Sequence, residues 1–231
     1  NHTLKDLVSK HDYHGIYTVL LNFCTLELSA LYFDIRKDSL YCDDIKSLKR
    51  RSTSTCLHII FEFLTKWLSP IVSFTCEEAW NSRNYGDNES ILLQNIKEEE
   101  FIYKDNSLLG VFDELKRVRK SVTSALELKR NEKLIGSSLQ AKVILFLPQN
   151  TIQAIEDLDL AEMCIVSNVE IQDISNKSED SIKFDDEDIY VEIKLADGKK
   201  CERCWTVLKE VSSNKNNLCN RCEDVWNSFQ Q

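Results

Sequence analysis

Four cysteines near the end of the chain stand as Cys201-x2-Cys204-x14-Cys219-x2-Cys222. A C-x-x-C turn lets both of its thiolates face one ion, and two such turns complete a tetrahedron. That donor set suits zinc, with Zn–S distances of about 2.3 Å. A lone C-x-x-C would suggest thiol–disulfide exchange, and the second pair argues against it. The rival ion is iron in a rubredoxin-like site, where glycine usually follows the second cysteine of each knuckle. Trp205 and Glu223 take those places here. The spacing predicts one structural zinc ion on Cys201, Cys204, Cys219 and Cys222. Four thiolates leave no open position for a water nucleophile, so the predicted role is folding rather than catalysis. The segment from Asp197 onward offers few core candidates: Trp205, Val207, Leu208, Val211, Leu218, Val225, Trp226 and Phe229. So short a unit needs a staple.

Cationic side chains surround this cluster and recur elsewhere. Arg203 and Arg221 lie inside the two turns, with Lys199, Lys200 and Trp205 close by. The arginines either neutralise a negatively charged zinc–thiolate centre or clamp phosphate beside a base-stacking tryptophan. Trp205 itself reads as a cover for the tail's small core. Lys46, Lys49, Arg50 and Arg51 sit at a predicted helix start, where backbone N–H groups also favour phosphate. Lys116, Arg117, Arg119 and Lys120 open a run, residues 116–133, with seven bases against Glu127 and Glu132, a local charge of +5. The whole chain carries −9, which argues against a simple nucleic-acid coat protein. Charges act over a Debye length of about 8 Å at physiological salt, so a basic patch can still bind a polyanion. A solvated helix face is the plainer reading of each of these groups.

The elements that must position these residues are mostly helical in the first half. Apolar residues at three- and four-residue steps predict a helix over 12–36, through Tyr13, Ile16, Tyr17, Leu20, Leu21, Cys24, Leu28, Leu31, Tyr32 and Ile35. A polar break follows. A second helix runs over 47–68 with Leu57, Ile60, Phe61, Leu64 and Leu68 as its stripe. A third follows Pro70 and carries Ile71, Phe74, Ala79 and Trp80. Residues 81–106 are polar and irregular. A fourth helix, 108–130, presents Leu108, Val111, Phe112, Leu115, Val118, Val122, Ala125 and Leu126. At Gly136 the period changes. KVILFLP reads as a buried strand, residues 151–163 as a helix, and CIVSNVEIQDI and DIYVEIKL as strands. The acidic run between those strands, NKSEDSIKFDDED (176–188), reads as a solvated hairpin loop; over residues 179–192 seven acids stand against Lys183 alone. The expected fold is an α-helical bundle (1–136), a small α+β linker domain (137–196) and a C-terminal four-cysteine zinc ribbon (197–231).

Length and motif together narrow the family. Residues 31–43 (LYFDIRKDSLYCD), 50–80 (RRSTSTCLHIIFEFLTKWLSPIVSFTCEEAW) and 115–143 (LKRVRKSVTSALELKRNEKLIGSSLQAKV), with the closing GKKCERCW…CNRC, resemble the anticodon-binding region of bacterial-type isoleucyl-tRNA synthetases. The W-L-x-P-I-x-S-F-T-x-E-E-x-W string is shared by the isoleucyl, valyl and leucyl group; IGSSLQAKV and the ribbon favour isoleucyl within it. The resemblance implies an anticodon-binding type of bundle and a place in an isoleucine–tRNA ligase, which joins isoleucine to its tRNA with ATP. It implies tRNA, through its anticodon stem-loop, and the parent's catalytic domain as partners. It also implies a monomer in the cytoplasm serving protein biosynthesis. The two nucleotide-binding signatures of that family and its editing domain are absent. The nearest string, HDYHG over 11–15, has the wrong spacing, and His11 and His14 read as helix-surface residues. No catalytic residue is therefore assigned. The chain starts at Asn1 rather than Met and reads as everything C-terminal to a catalytic core.

Other classes are narrowed by composition. No apolar run reaches the roughly 18 residues of a membrane span. Nine cysteines, five of them scattered, do not form a secreted disulfide framework and point to a reducing compartment. Two alternatives stay open. The ribbon also occurs in a class of DNA glycosylases, giving a zinc-ribbon DNA-binding module. A docking module without nucleic-acid contact is the other.

Overall fold

Helix α1 (His2–Ser9) turns into α2 (Tyr13–Asn22) through a tight corner. Asp12 caps α2 by accepting from the Gly15 N–H at 2.8 Å, and a Cβ on Gly15 would sit 2.5 Å from Asp12 Oδ2. Only glycine fits that approach. The computed structural model describes residues 2–83, 89–96, 105–184, 188–214 and 216–229. They fall in two compact units, Asn1–Lys104 and Asp105–Gln231.

In the first unit the helix does not stop where sequence expected. It runs from Tyr13 to Cys42, passing through a π-helical segment, Phe23–Phe33, into α3 (Asp34–Cys42). The Ser29 hydroxyl follows the wider turn, donating to the Cys24 carbonyl at 2.8 Å. Ile16, Leu20, Leu28 and Ile35 are buried as expected, whereas Tyr13, Tyr17 and Leu21 are exposed. By length and composition this 30-residue run passes for a membrane span, yet Glu27, Asp34, Arg36, Lys37 and Asp38 punctuate it.

The actual break spans residues 43–47, and Ser47 then caps α4 (Leu48–Leu68) by accepting from Arg50 N. Trp67 closes a core with Leu4, Ile16 and Leu20. The expected α4 stripe, Leu57 to Leu68, is only half-buried; Thr53, Thr65, Lys66 and Trp67 are the buried positions. In α5 (Ser73–Asn81), Cys76 and Trp80 face inward onto Ile91, while Phe74 and Ile71 are exposed, against expectation. Trp80 is held between two cations, with the Arg83 guanidinium 3.0 Å and Lys66 Nζ 5.3 Å from its ring centre. Arg83 in turn pairs with Glu62 at 3.1 Å. Glu77 accepts from the Ile91 N–H and the Ser90 hydroxyl, each at 2.9 Å, and so holds the 3₁₀ turn Ile91–Leu93. Of the irregular 81–106 connection, residues 84–88 and 97–104 lie outside the described residues.

The second unit begins with α6 (Asn106–Asn131), which packs with the α/β elements that follow it. Sequence had counted this helix with the bundle. Leu115, Val118, Val122, Ala125 and Leu126 form its buried face. The first two turns do not, since Leu108 and Phe112 are exposed. Strand β1 (Ala141–Leu147) is buried at every position but Lys142. It pairs in parallel with β2 (Asn168–Asp173) on one side and antiparallel with β4 (Tyr190–Leu195) on the other. The crossover is two helices, α7 (Gln149–Ile155) and α8 (Leu160–Cys164), not the one expected. Asp159 caps α8 by accepting from Glu162 N, and this restarts the chain.

The sheet order is β2-β1-β4-β3, with β3 (Ile182–Lys183) at the edge. The expected hairpin between β2 and β4 is therefore replaced: those strands flank β1 and do not pair. β4 pairs with β3 instead. Of the acidic run, residues 185–187 lie outside the described residues. Glu192 on β4 is buried, accepts from the Ser178 hydroxyl at 2.7 Å and pairs with Lys194 at 2.7 Å. These hydrogen bonds outweigh burial and hold its carboxyl below the ordinary glutamate value.

Candidate metal centre and nucleic-acid interface

The ribbon follows β4 directly. Gly198 enters it at φ +121°, a conformation that L side chains rarely adopt. A Cβ there would lie 2.2 Å from the Leu208 carbonyl oxygen. Strands β5 (Lys199–Lys200) and β6 (Val207–Leu208) form the hairpin that carries the first knuckle. Cys201 N donates to Thr206 O and Trp205 N to Cys201 O, each at 2.9 Å, which curls the turn around the sulfurs. The second knuckle lies at the start of α9 (Asn220–Ser228), with Cys219 as its N-cap residue. Glu210 braces that start by accepting from the Asn220 N–H at 2.9 Å.

All four sulfurs are buried and lie within 4.8 Å of one another. Cys204 and Cys219 Sγ are 3.7 Å apart, close to the ~3.8 Å edge of a tetrahedron with 2.3 Å Zn–S bonds. Cys219 N donates to Cys201 Sγ at 3.3 Å, a backbone contact that favours thiolate. Without a cation two of the thiols resist ionisation. The Cys222 hydrogen bond and then burial push the Cys204 thiol up to about 12, and burial pushes Cys219 up to about 11. A buried dication reverses that balance. The donor set fits one structural zinc ion, with Cys201, Cys204, Cys219 and Cys222 as the residues that hold it.

Around the cysteines the apolar core is small. Val211 and Val225 are buried, and Val207, Leu208 and Leu218 are half-buried. Trp205, Trp226 and Phe229 are not core, being 59%, 52% and 68% exposed. Trp205 sits in the left-handed region at φ +69°, with Lys200 Nζ 4.7 Å from its ring centre. Lys199, Lys200 and Arg221 are exposed and Arg203 is half-buried.

The remaining basic candidates divide. At the start of α4, Lys46, Lys49 and Arg51 are exposed, while Arg50 Nη1 donates to the Asp43 carbonyl at 2.8 Å. On α6, Lys116 and Lys120 are exposed. Arg117 pairs with Glu114 at 2.7 Å, and Arg119 Nε donates to the Met163 carbonyl at 2.9 Å. Arg119 thus ties α6 to the end of α8. His11 and His14 are exposed. A cavity of about 300 Å³ in the first unit is lined by apolar side chains such as Leu4, Leu20, Phe63 and Trp67, with Thr3 as its one polar member. That lining supplies no general acid, base or nucleophile.

Comparison with known proteins agrees with this arrangement. Residues 2–145 match the family described as the anticodon-binding domain of tRNA ligase, and residues 198–225 match a zinc finger found in FPG and IleRS. The chain belongs to the anticodon-binding domain family of tRNA ligases. Among curated proteins it is similar to the isoleucine–tRNA ligase of Gluconobacter oxydans, 38% identical over 94% of this chain and 22% of that protein. The corresponding figures are 41% over 87% and 21% for Bartonella henselae, and 40% over 94% and 23% for Caldicellulosiruptor saccharolyticus. The chain thus spans about a fifth of the length of the relatives it matches.

Proposed function

We propose that this chain is the C-terminal, tRNA-gripping portion of an isoleucine–tRNA ligase, whose other domains join isoleucine to tRNA with ATP. The observation that carries the reading is the order of two matches on one chain, an anticodon-binding domain at 2–145 and the zinc finger at 198–225. The zinc finger alone would fit a DNA-binding module equally well; the preceding domain favours tRNA. The whole acts in the cytoplasm as a monomer, with the anticodon stem-loop as the RNA element held.

Two surfaces are assigned to the RNA. Lys46, Lys49, Arg50 and Arg51 gather phosphate at the start of α4, where Arg50 also braces the 43–47 loop. Lys199, Lys200, Arg203, Arg221 and the exposed Trp205 form the second, with indole and ammonium side by side for base stacking and phosphate contact. Lys116, Arg117, Arg119 and Lys120 belong to a supporting set, because Arg117 and Arg119 already hold Glu114 and the Met163 carbonyl.

Binding of the isoleucine tRNA to the full-length ligase, measured across a salt series, tests the reading. Affinity is expected to fall steeply with salt, the slope lessening by about one for each phosphate-contacting cation removed. Changing the anticodon should weaken binding further. A flat salt dependence with equal affinity for the anticodon variant refutes it.

A further inference from the structure

The ribbon joins the sheet covalently through Ala196, Asp197 and Gly198 alone. Ala196 N donates to the Gln140 carbonyl at 2.8 Å, so the linker is fixed up to that residue. A second tie lies beyond Gly198. The Val207 N–H, on β6, donates to the Ser167 hydroxyl at 2.7 Å. Ser167 is buried, just ahead of β2, and its own N–H donates to the Ala141 carbonyl at 3.1 Å. Its hydroxyl donates in turn to the Leu139 carbonyl. One hydroxyl thus meets the start of β1, the approach to β2 and the ribbon hairpin.

We infer that Ser167 is the positioning residue that sets the angle at which the zinc ribbon is presented to tRNA. The inference rests on the proposed reading that the ribbon contacts the RNA. A surface ion pair also spans this region, Lys209–Asp197 at 3.5 Å, but both side chains are largely exposed. Exposed pairs hold orientation weakly. Ser167 is itself buried and its bond to the Val207 N–H is partly shielded from water, so releasing it costs more than breaking that exposed pair. Because β6 pairs with β5, and β5 leads straight into Cys201, rotating Val207 off Ser167 swings the first knuckle with Arg203 and Trp205. The zinc shell itself does not involve Ser167, so ion binding and ribbon orientation are separable.

The test uses the full-length ligase in its zinc-loaded form. Ser167→Ala is expected to raise the KM for tRNA about fivefold, the loss that follows from removing one hydrogen bond. Zinc content and the rate of isoleucine-dependent pyrophosphate exchange should stay at the parent's values. Ser167→Thr, which keeps the hydroxyl, should restore the KM. Amide exchange at Val207 should accelerate in Ser167→Ala while Cys201 and Trp205 stay protected. Cys204→Ser, which breaks the metal shell, separates the levels. If it raises the tRNA KM and Ser167→Ala does not, the positioning role is refuted and the tRNA reading stands. If neither variant changes the KM, the ribbon does not contact tRNA and the inference falls with that reading. Loss of zinc, or of pyrophosphate exchange, in Ser167→Ala overturns the inference in favour of a general folding role.

Discussion

Replacing Gly198 by alanine isolates the cost of the ribbon's entrance. The added Cβ would meet the Leu208 carbonyl oxygen at 2.2 Å and Lys209 N at 2.6 Å, both backbone atoms that no rotamer can clear. The φ of +121° is strained for any L side chain, at about 1–3 kcal/mol. Small metallo-domains bind and fold in one step, so strain present only in the folded ribbon appears in the apparent zinc affinity. At 1.4 kcal/mol per tenfold, the strain alone weakens zinc by about 5- to 140-fold. The backbone clash pushes the result to the upper part of that range. Competition with a chromophoric chelator at pH 7 measures it, with far-ultraviolet dichroism reporting α9. Unchanged zinc affinity with an unchanged spectrum would refute the claim that this hairpin needs glycine's conformational range.

Gly110 provides the opposite case: it lies within α6, and a Cβ added there would have no neighbour within 4 Å. Gly110→Ala should stabilise the second unit by about 0.5–1 kcal/mol in urea unfolding. Glu77 offers a pH test in the first unit. The Ile91 N–H and then the Ser90 hydroxyl hold its carboxyl below the ordinary glutamate value. Its stabilisation is therefore complete above that ordinary value and is lost as pH falls through the depressed one. Unfolding of the parent and Glu77→Gln should differ most at neutral pH and converge in acid; a constant gap would count against it. Stripping zinc with a chelator should unfold residues 198–229 and leave β1, β2 and β4 protected from amide exchange, because the sheet's pairing involves no ribbon residue.

The metal ligands were legible because the cysteine spacing is a local signal. The start of α4 at about residue 47 and the face of α6 from Leu115 to Leu126 followed a plain helical period. Other features depend on what packs where. The π-helical turn over Phe23–Phe33 is set by hydrogen bonding that periodicity does not report. Trp205, Trp226 and Phe229 looked like core because they are large and apolar, yet the cysteines and two valines already fill the ribbon's interior. The break between α7 and α8 was marked only by Asp159, a single capping residue. The exchange of a β2–β4 hairpin for a β3–β4 one is a long-range choice that strand propensity cannot make. The carbonyl partners of Arg50 and Arg119, seven and forty-four residues away in sequence, carry no local signal either.

The central place of β1 has a consequence for how the protein is made. AKVILFL leaves the ribosome flanked by neither partner, since β2 lies some twenty residues downstream and β4 nearly twenty beyond that. Until Tyr190–Leu195 emerges, one whole edge of a seven-residue apolar strand stays open to any other chain with a free edge. Translation pausing between these two strands should therefore favour aggregation, and the short wait for β4 is a natural window for a chaperone that shields apolar segments.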